Sequence, residues 1–160
     1  MTEVLNKTSD RLIPISRKDI PKNCWGFKIT IRHGQCDPAG IAYTPHLFDI
    51  LNIAVEDWYS SCLGLNYYQI LGTRRVGLGY AKASAEFFRP CMMGDELEIC
   101  VMINRIGRSS LSLNLHAFKN EIENLRGNLV TVATDLENHK VIKIPSDISN
   151  ALAAYKKNCD

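Results

Sequence analysis

The chain has no long apolar run, almost no net charge and no paired cysteine spacing, and each absence removes a class of function. Nowhere in its 160 residues do apolar positions run to the roughly 20 needed by a membrane-spanning helix. The N-terminus, MTEVLNKTSDRLIPISRKDIPKNC, is polar and charged, without the apolar centre of a secretory signal. The expected location is therefore cytoplasmic, with no membrane partner. A net charge of +2 builds too weak a field to hold nucleic acid, so an anionic ligand has to be gripped by individual arginines. Cys24, Cys36, Cys62, Cys91, Cys100 and Cys159 are scattered, with no CxxC pair and no Cys/His run. That argues against structural zinc and for buried thiols in a reducing compartment. A GxSxG elbow is missing as well, which argues against a serine hydrolase. The stretch Gly72 to Gly79 holds Arg74, Arg75 and a Gly-x-Gly but no P-loop lysine, so it reads as a solvated loop. No metal site and no cofactor is expected, and no repeat or low-complexity segment is visible.

What is present is an ordinary globular composition, 46% hydrophobic and 22% charged. It is divided into a polar arm over residues 1–24 and a single domain over residues 25–160. In WGFKITIRH, Phe27, Ile29, Ile31 and His33 alternate with polar residues, which predicts a half-buried strand ending in a core histidine. A long helix follows. Thr44 is placed as its N-cap and Pro45 as its first residue. Leu47, Ile50, Leu51, Ala54, Val55, Trp58 and Cys62 repeat every 3.6 residues, and Gly64 is positioned to end the helix. Phe48 and Ile53 fall off the stripe, so this helix is covered on more than one side. Four further strands alternate through AKASAEFF, ELEICVMIN, SLSLNLHAF and LRGNLVTVATDLE, joined by short turns that imply antiparallel neighbours. A short helix from Ser146 closes the chain. A sheet of that size must bury one face, and the long helix is the only element available to fill it. The expected fold is α+β: a curved antiparallel sheet of about five strands wrapped round one central helix, the hotdog architecture.

The stretch HGQCDPAGIAYTPHLFDIL places Asp37 before Pro38, then a small-residue turn, then the helix start. Pro38 drives Asp37 out of the α region, fixing its carboxylate at the end of a strand. The residues alone leave three roles open: a turn former, a partner for the helix dipole, or a catalytic group. His46, in the first helical turn, is read as exposed or capping, with a second role in orienting water beside Asp37. His116 and His139 are read as structural or solvent-facing, and Glu86 as solvated or interfacial. Cys36, pointed away from Asp37 by strand alternation, is read as packing.

CDPAGIAYTPHLF resembles the signature of the hotdog-fold acyl-CoA thioesterases, closest to the 4-hydroxybenzoyl-CoA thioesterase branch. About fifty residues later, AEFFRPCMMGDELEI resembles the same family's Arg-Pro and Gly-Asp-x-Leu strand. The likeness runs from about Phe27 to Leu136. It implies hydrolysis of a short-chain or aromatic acyl-CoA. Asp37 would act as nucleophile or general base, and the Thr44 backbone N–H would polarise the thioester carbonyl. Gly40, Tyr43 and His46 would line the substrate, and Arg108 would meet the CoA phosphates. It further implies edge-to-edge homodimers, often paired into homotetramers. Two alternatives stand beside it: hydrolysis of acyl groups on an acyl-carrier protein, and a non-catalytic acyl-CoA-binding or assembly protein. A hotdog dehydratase is disfavoured because its histidine-led Pro-Gly motif is absent.

Overall fold

Alternation of large apolar and polar side chains decides which face of each strand turns inward. The computed structural model describes residues 12–159. Its strands are β1 (Gly26–Thr30), β2 (Val76–Phe87), β3 (Glu96–Ile106), β4 (Ser110–Lys119), β5 (Ile122–Asp135) and the two-residue β6 (Lys140–Val141). Every pairing is antiparallel, in the order β1-β3-β4-β5-β2, with β6 on the end of β5. Leu97, Ile99 and Val101 of β3, Leu111, Leu113 and Leu115 of β4, and Leu125 and Leu129 of β5 form the buried inner face. Helix α1 (Thr44–Asp57) fills the concavity with Leu47, Ile50, Leu51, Ala54 and Val55. At Gly127 the helix comes closest, since a Cβ there would stand 2.7 Å from Leu51 Cδ1. The hotdog architecture expected from the pattern is the one observed.

Beyond Asp57 the helix widens into one π-turn, Trp58–Cys62, in which the Leu63 N–H reaches Trp58 O at 3.0 Å. It ends at Gly64, whose φ of 66° only glycine adopts readily. Trp58 is fully buried, edge-on to Tyr59 and to Tyr155 of the terminal helix α3 (Ser146–Cys159). All six cysteines are free. Cys24, Cys91, Cys100 and Cys159 are buried, whereas Cys36 and Cys62 are half-buried. Burial pushes the Cys91 thiol up to about 11 and the Cys100 thiol up to about 12, keeping both protonated. Among the described residues no helix is long and apolar enough to cross a membrane, and no group of three or more His, Cys, Asp or Glu side chains could hold a metal ion.

Three local expectations need correction. The first strand stops at Thr30, and His33 opens an exposed 3-10 turn, His33–Gln35, instead of entering the core. The cause lies in the neighbouring strand: Thr30 pairs with Glu96, the first residue of β3, and beyond it the ladder has no further partner. The stretch from Gly72 to Gly79 is not a loop. It holds the end of a six-residue helix, α2 (Tyr67–Gly72), and the first residues of β2. Arg74 there is paired with Asp147 at 2.7 Å and Arg75 with Glu137 at 2.7 Å, so both cations are already partnered. Finally, β2 carries a bulge. Its register against β5 shifts between Tyr80 and Lys82, leaving Ala81 as the extra residue. The inward set is therefore Tyr80, Ala83, Ala85 and Phe87, opposite Thr131, Leu129, Gly127 and Leu125.

The arm, from residue 12 onward, lies against the chain's own sheet; residues 1–11 fall outside the described part. Ser16 bridges Ile122, and Arg17 pairs with Glu98 at 2.9 Å. Beneath this strap sits Glu123, fully buried. It accepts from Ile15 N at 2.8 Å and from Arg126 Nε and Nη2 at 2.9 and 2.6 Å, with His116 Nδ1 at 2.7 Å. Although burial alone would raise it, Arg126, the Ile15 N–H and His116 together hold the Glu123 carboxyl below the usual carboxylate range. Burial lowers His116, outweighing the pull of Glu123.

Candidate active site

The segment around Asp37 is a miniature hairpin. Cys36 bridges Ala42, the Tyr43 N–H donates to Gln35 O at 2.8 Å, and the Asp37 N–H donates to Ile41 O at 2.8 Å. The turn between is held by the aspartate itself. Its Oδ1 accepts the Ala39 N–H at 2.9 Å and the Ile41 N–H at 3.2 Å, while the Gly40 N–H donates to Asp37 O at 2.9 Å. Asp37 is thus an Asx-turn residue, and among the described residues its second oxygen, Oδ2, has no hydrogen-bond partner. The turn-forming and chemical readings are not rivals, because they use different oxygens. Gly40 has φ of 75°, and a Cβ there would meet no atom of this chain within 4 Å. Glycine serves the turn at this point, not a close approach between parts of the chain. Cys36 owes its half-buried position to the hairpin, not to strand alternation, and its thiol reaches Arg32 O at 3.4 Å.

The second sequence motif fastens the first. The Ala42 N–H donates to Cys91 O at 2.8 Å, the Met93 N–H to Gly40 O at 2.9 Å, and Ile41 bridges Met92. Gly94, at φ 87°, turns the chain, and Asp95 accepts the Met92 N–H at 2.8 Å while pairing with Lys119 at 2.6 Å. Against the cost of burial, those two contacts hold the Asp95 carboxyl below its usual range. Two stretches far apart in sequence therefore form one rigid platform under Asp37.

The helix opens one residue earlier than expected. Tyr43 is the N-cap, and its carbonyl accepts the His46 N–H at 2.8 Å and the Leu47 N–H at 3.3 Å. Thr44 is the first helical residue, so its hydroxyl caps nothing. Pro45 has no N–H to offer. The Thr44 N–H is consequently the one donor of the opening turn with no partner among the described residues, at the positive end of the helix dipole. In the hairpin Asp37 lies opposite Ile41, and three extended residues, roughly 10 Å, lead from there to Thr44. A thioester carbonyl fits between a carboxylate and an amide at that spacing. Tyr43 is 55% exposed, its ring edge-on to the half-buried His46 at 6.0 Å.

Thr44 lines a cleft of about 270 Å³ with Leu47, Phe87, Arg89, Pro90 and Cys91. Arg89 and Pro90 also border a neighbouring cleft of about 470 Å³ that reaches Lys119 and Asn124. Farther along α1, Asn52 accepts the Tyr80 hydroxyl at 2.9 Å and donates to Glu56 at 2.6 Å, and the Tyr68 hydroxyl also reaches Glu56 at 3.3 Å. Burial, then the nearby Tyr67 and Glu56, push the Tyr80 hydroxyl up, so it remains a donor. Sequence reading missed this network and Arg89. The signal available was the four-residue spacing of Thr44, Phe48, Asn52 and Glu56 along one helix face.

Arg108 is not brought to this place within one chain. It sits on the β3–β4 turn, where its carbonyl accepts the Ile144 N–H at 2.9 Å, whereas the Asp37 platform adjoins the opposite end of β3. The 11 residues of β3 put on the order of 35 Å of strand between them. Glu86 is likewise away from the site, accepting Asn128 Nδ2 at 2.8 Å on the outer sheet face.

Comparison with known proteins agrees with this geometry. The chain is 25% identical over 145 residues to a 1,4-dihydroxy-2-naphthoyl-CoA hydrolase of Prochlorococcus marinus, covering 86% of this chain and 95% of the relative. Its fold matches a 1,4-dihydroxy-2-naphthoyl-CoA thioesterase from Synechocystis with a TM-score of 0.74 at 21% identity, over 81% of this chain and 95% of the other. A gentisyl-coenzyme A thioesterase matches with a TM-score of 0.73 at 22% identity, over 80% and 99% of the two chains. The profile of the Thioesterase-like superfamily matches residues 31–152, and with three quarters of the chain inside that match, it belongs to the thioesterase-like superfamily.

Proposed function

We propose that the chain hydrolyses the thioester of a hydroxylated aromatic acyl-CoA, releasing the free acid and CoA, with Asp37 as the reacting carboxylate. As a superfamily member it is a thioester hydrolase; the proposal names the substrate and the groups that act on it. One observation carries the assignment. Asp37 is fixed through Oδ1 while Oδ2 is left open, on the hairpin that leads directly into the unpartnered Thr44 N–H. That N–H takes the carbonyl oxygen and stabilises the negative charge that develops there. Oδ2 either attacks the carbonyl carbon, expelling CoA thiolate and leaving a mixed anhydride for water to cleave, or removes a proton from the water that attacks. The acyl class is supported by the names of the relatives above, whose substrates are hydroxylated aromatic rings.

Arg89, in the cleft that contains Thr44, takes the place first given to Arg108 as the cation for CoA phosphate. Tyr43, His46 and Gly40 surround the entry. The outer edge of β2 is unpaired in the single chain, which supports edge-to-edge pairing of two copies, and Arg108 is then available to the cleft of the second copy. The test is steady-state hydrolysis of a panel of aryl- and alkyl-CoA thioesters by wild type, Asp37→Asn and Asp37→Ala. Loss of about 10²–10⁴ in kcat is expected for both variants with KM little changed. Full activity in either variant, or no turnover of any aryl-CoA by wild type, overturns the proposal.

A further inference from the structure

We infer that Asn52 and Tyr80 recognise a ring hydroxyl at the far end of the acyl group, and so set substrate specificity; this rests on the function proposed above. The inner face of β2 differs from the rest of the sheet. Where β3, β4 and β5 present Leu, Ile and Val, β2 presents Ala83 and Ala85, flanked by Tyr80 and Phe87. Small side chains on an edge strand, opposite the Thr44, Phe48, Asn52 face of α1, leave a slot along the helix. Thr44 and Phe87 stand at its mouth, where they share a cleft. The Tyr80–Asn52 hydrogen bond ties strand to helix at the other end.

The polarity of that end is fixed from within. Glu56 can only accept, so Asn52 must turn its amide nitrogen towards Glu56, as the 2.6 Å contact shows. Its oxygen is then committed to the Tyr80 hydroxyl at 2.9 Å. Tyr80, having donated its proton, is left with an oxygen able to accept, and Asn52 keeps one spare N–H able to donate. A hydroxyl group satisfies both at once, whereas a methoxy group or a hydrogen does not. The partly exposed ring of Tyr80, at 38%, lets a ligand reach this pair.

Length agrees. Thr44 to Asn52 is two turns of α1 and a little more, a rise of about 12 Å. An aryl carbonyl with a hydroxyl meta to it is about 6 Å from oxygen to oxygen, and two hydrogen bonds of about 3 Å complete the span. A 2,5-dihydroxybenzoyl group has that hydroxyl, and a 1,4-dihydroxy-2-naphthoyl group has one in the same relation.

The experiment compares kcat/KM for 2,5-dihydroxybenzoyl-CoA, its 5-methoxy ether and 2-hydroxybenzoyl-CoA, using the full chain as wild type, Tyr80→Phe and Asn52→Leu. Wild type should prefer the 5-hydroxy substrate by about tenfold or more over both analogues, the yield of one hydrogen-bonded group in a partly open site. Each variant should bring that ratio close to one. The ratio is internal to each sample, so a partly folded variant does not distort it. An equal wild-type rate on all three substrates, or a preference that survives both substitutions, overturns the inference while leaving thioester hydrolysis intact. No turnover of any of them by wild type removes the proposed function as well.

Discussion

Replacing Glu123 with alanine should cost more stability than any exposed ion pair in this chain could supply. The wild-type carboxylate takes four contacts between 2.6 and 2.9 Å, from Ile15 N, two atoms of Arg126 and His116, with none of its side chain exposed. Alanine leaves the Arg126 cation, only 13% exposed, without its counter-charge and the strap without its anchor. Breaking one side of such a buried pair costs about 3–5 kcal/mol. For a chain of this size each kcal/mol moves the thermal midpoint by roughly 2–4 °C, so a fall of about 6–20 °C is expected. Thermal and urea denaturation measure it directly. The double change Glu123→Leu with Arg126→Leu should cost less than Glu123→Ala alone, because it removes both charges and replaces them with apolar volume. A loss under about 1 kcal/mol, the range of surface pairs, would refute the buried-anchor reasoning.

Acid should weaken the same place in two stages. His116 is held below its ordinary 6.5, so folding favours its neutral form; that contribution is full above pH 6.5 and falls as the unfolded chain takes up the proton. Glu123, held below 4.5, adds a second loss beneath that value. Denaturation midpoints taken from pH 8 to pH 4 should decline in that order, and His116→Gln should flatten the upper part. Gly127→Ala should destabilise by about 1–3 kcal/mol in urea titrations, since its Cβ would press on Leu51 Cδ1. Gly40→Ala imposes a side chain at φ 75° and should cost about 1–2 kcal/mol; because the strain falls in the Asp37 turn, kcat should drop with it. Arg89→Ala should raise KM for acyl-CoA more than it lowers kcat, whereas a kcat effect alone would speak against phosphate binding.

The fold was legible because its strands alternate over long stretches and its helix has a clear apolar stripe. Leu47, Ile50, Leu51, Ala54 and Val55 were readable from periodicity alone, and all five are buried. What periodicity cannot carry is the point where an element loses its neighbour. Nothing in IRHGQ says that β3 begins at Glu96 and strands His33 outside the sheet. A helix as short as Tyr67–Gly72 contains under two turns, too few to show a stripe. The position of Asp37 followed from Pro38 and the helix ahead of it, but the division of labour between its two oxygens is a three-dimensional fact. Asn52, Glu56 and Tyr80 escaped because hydrogen bonds between helix and strand leave no mark in either element's own pattern.

The bulge at Ala81 has a consequence for how this family of folds can change. Side chains on a strand alternate, so one supernumerary residue sets the phase of everything after it. Delete Ala81 and the alanine wall with Phe87 turns to solvent, while Lys82, Ser84 and Glu86 swing round towards α1. A slot lined by methyl groups becomes one lined by a cation, a hydroxyl and a carboxylate, with no substitution in the helix and none in the Asp37 turn. A one-codon insertion or deletion here acts as a gear change, exchanging the whole lining of the slot while the reacting groups stay where they are.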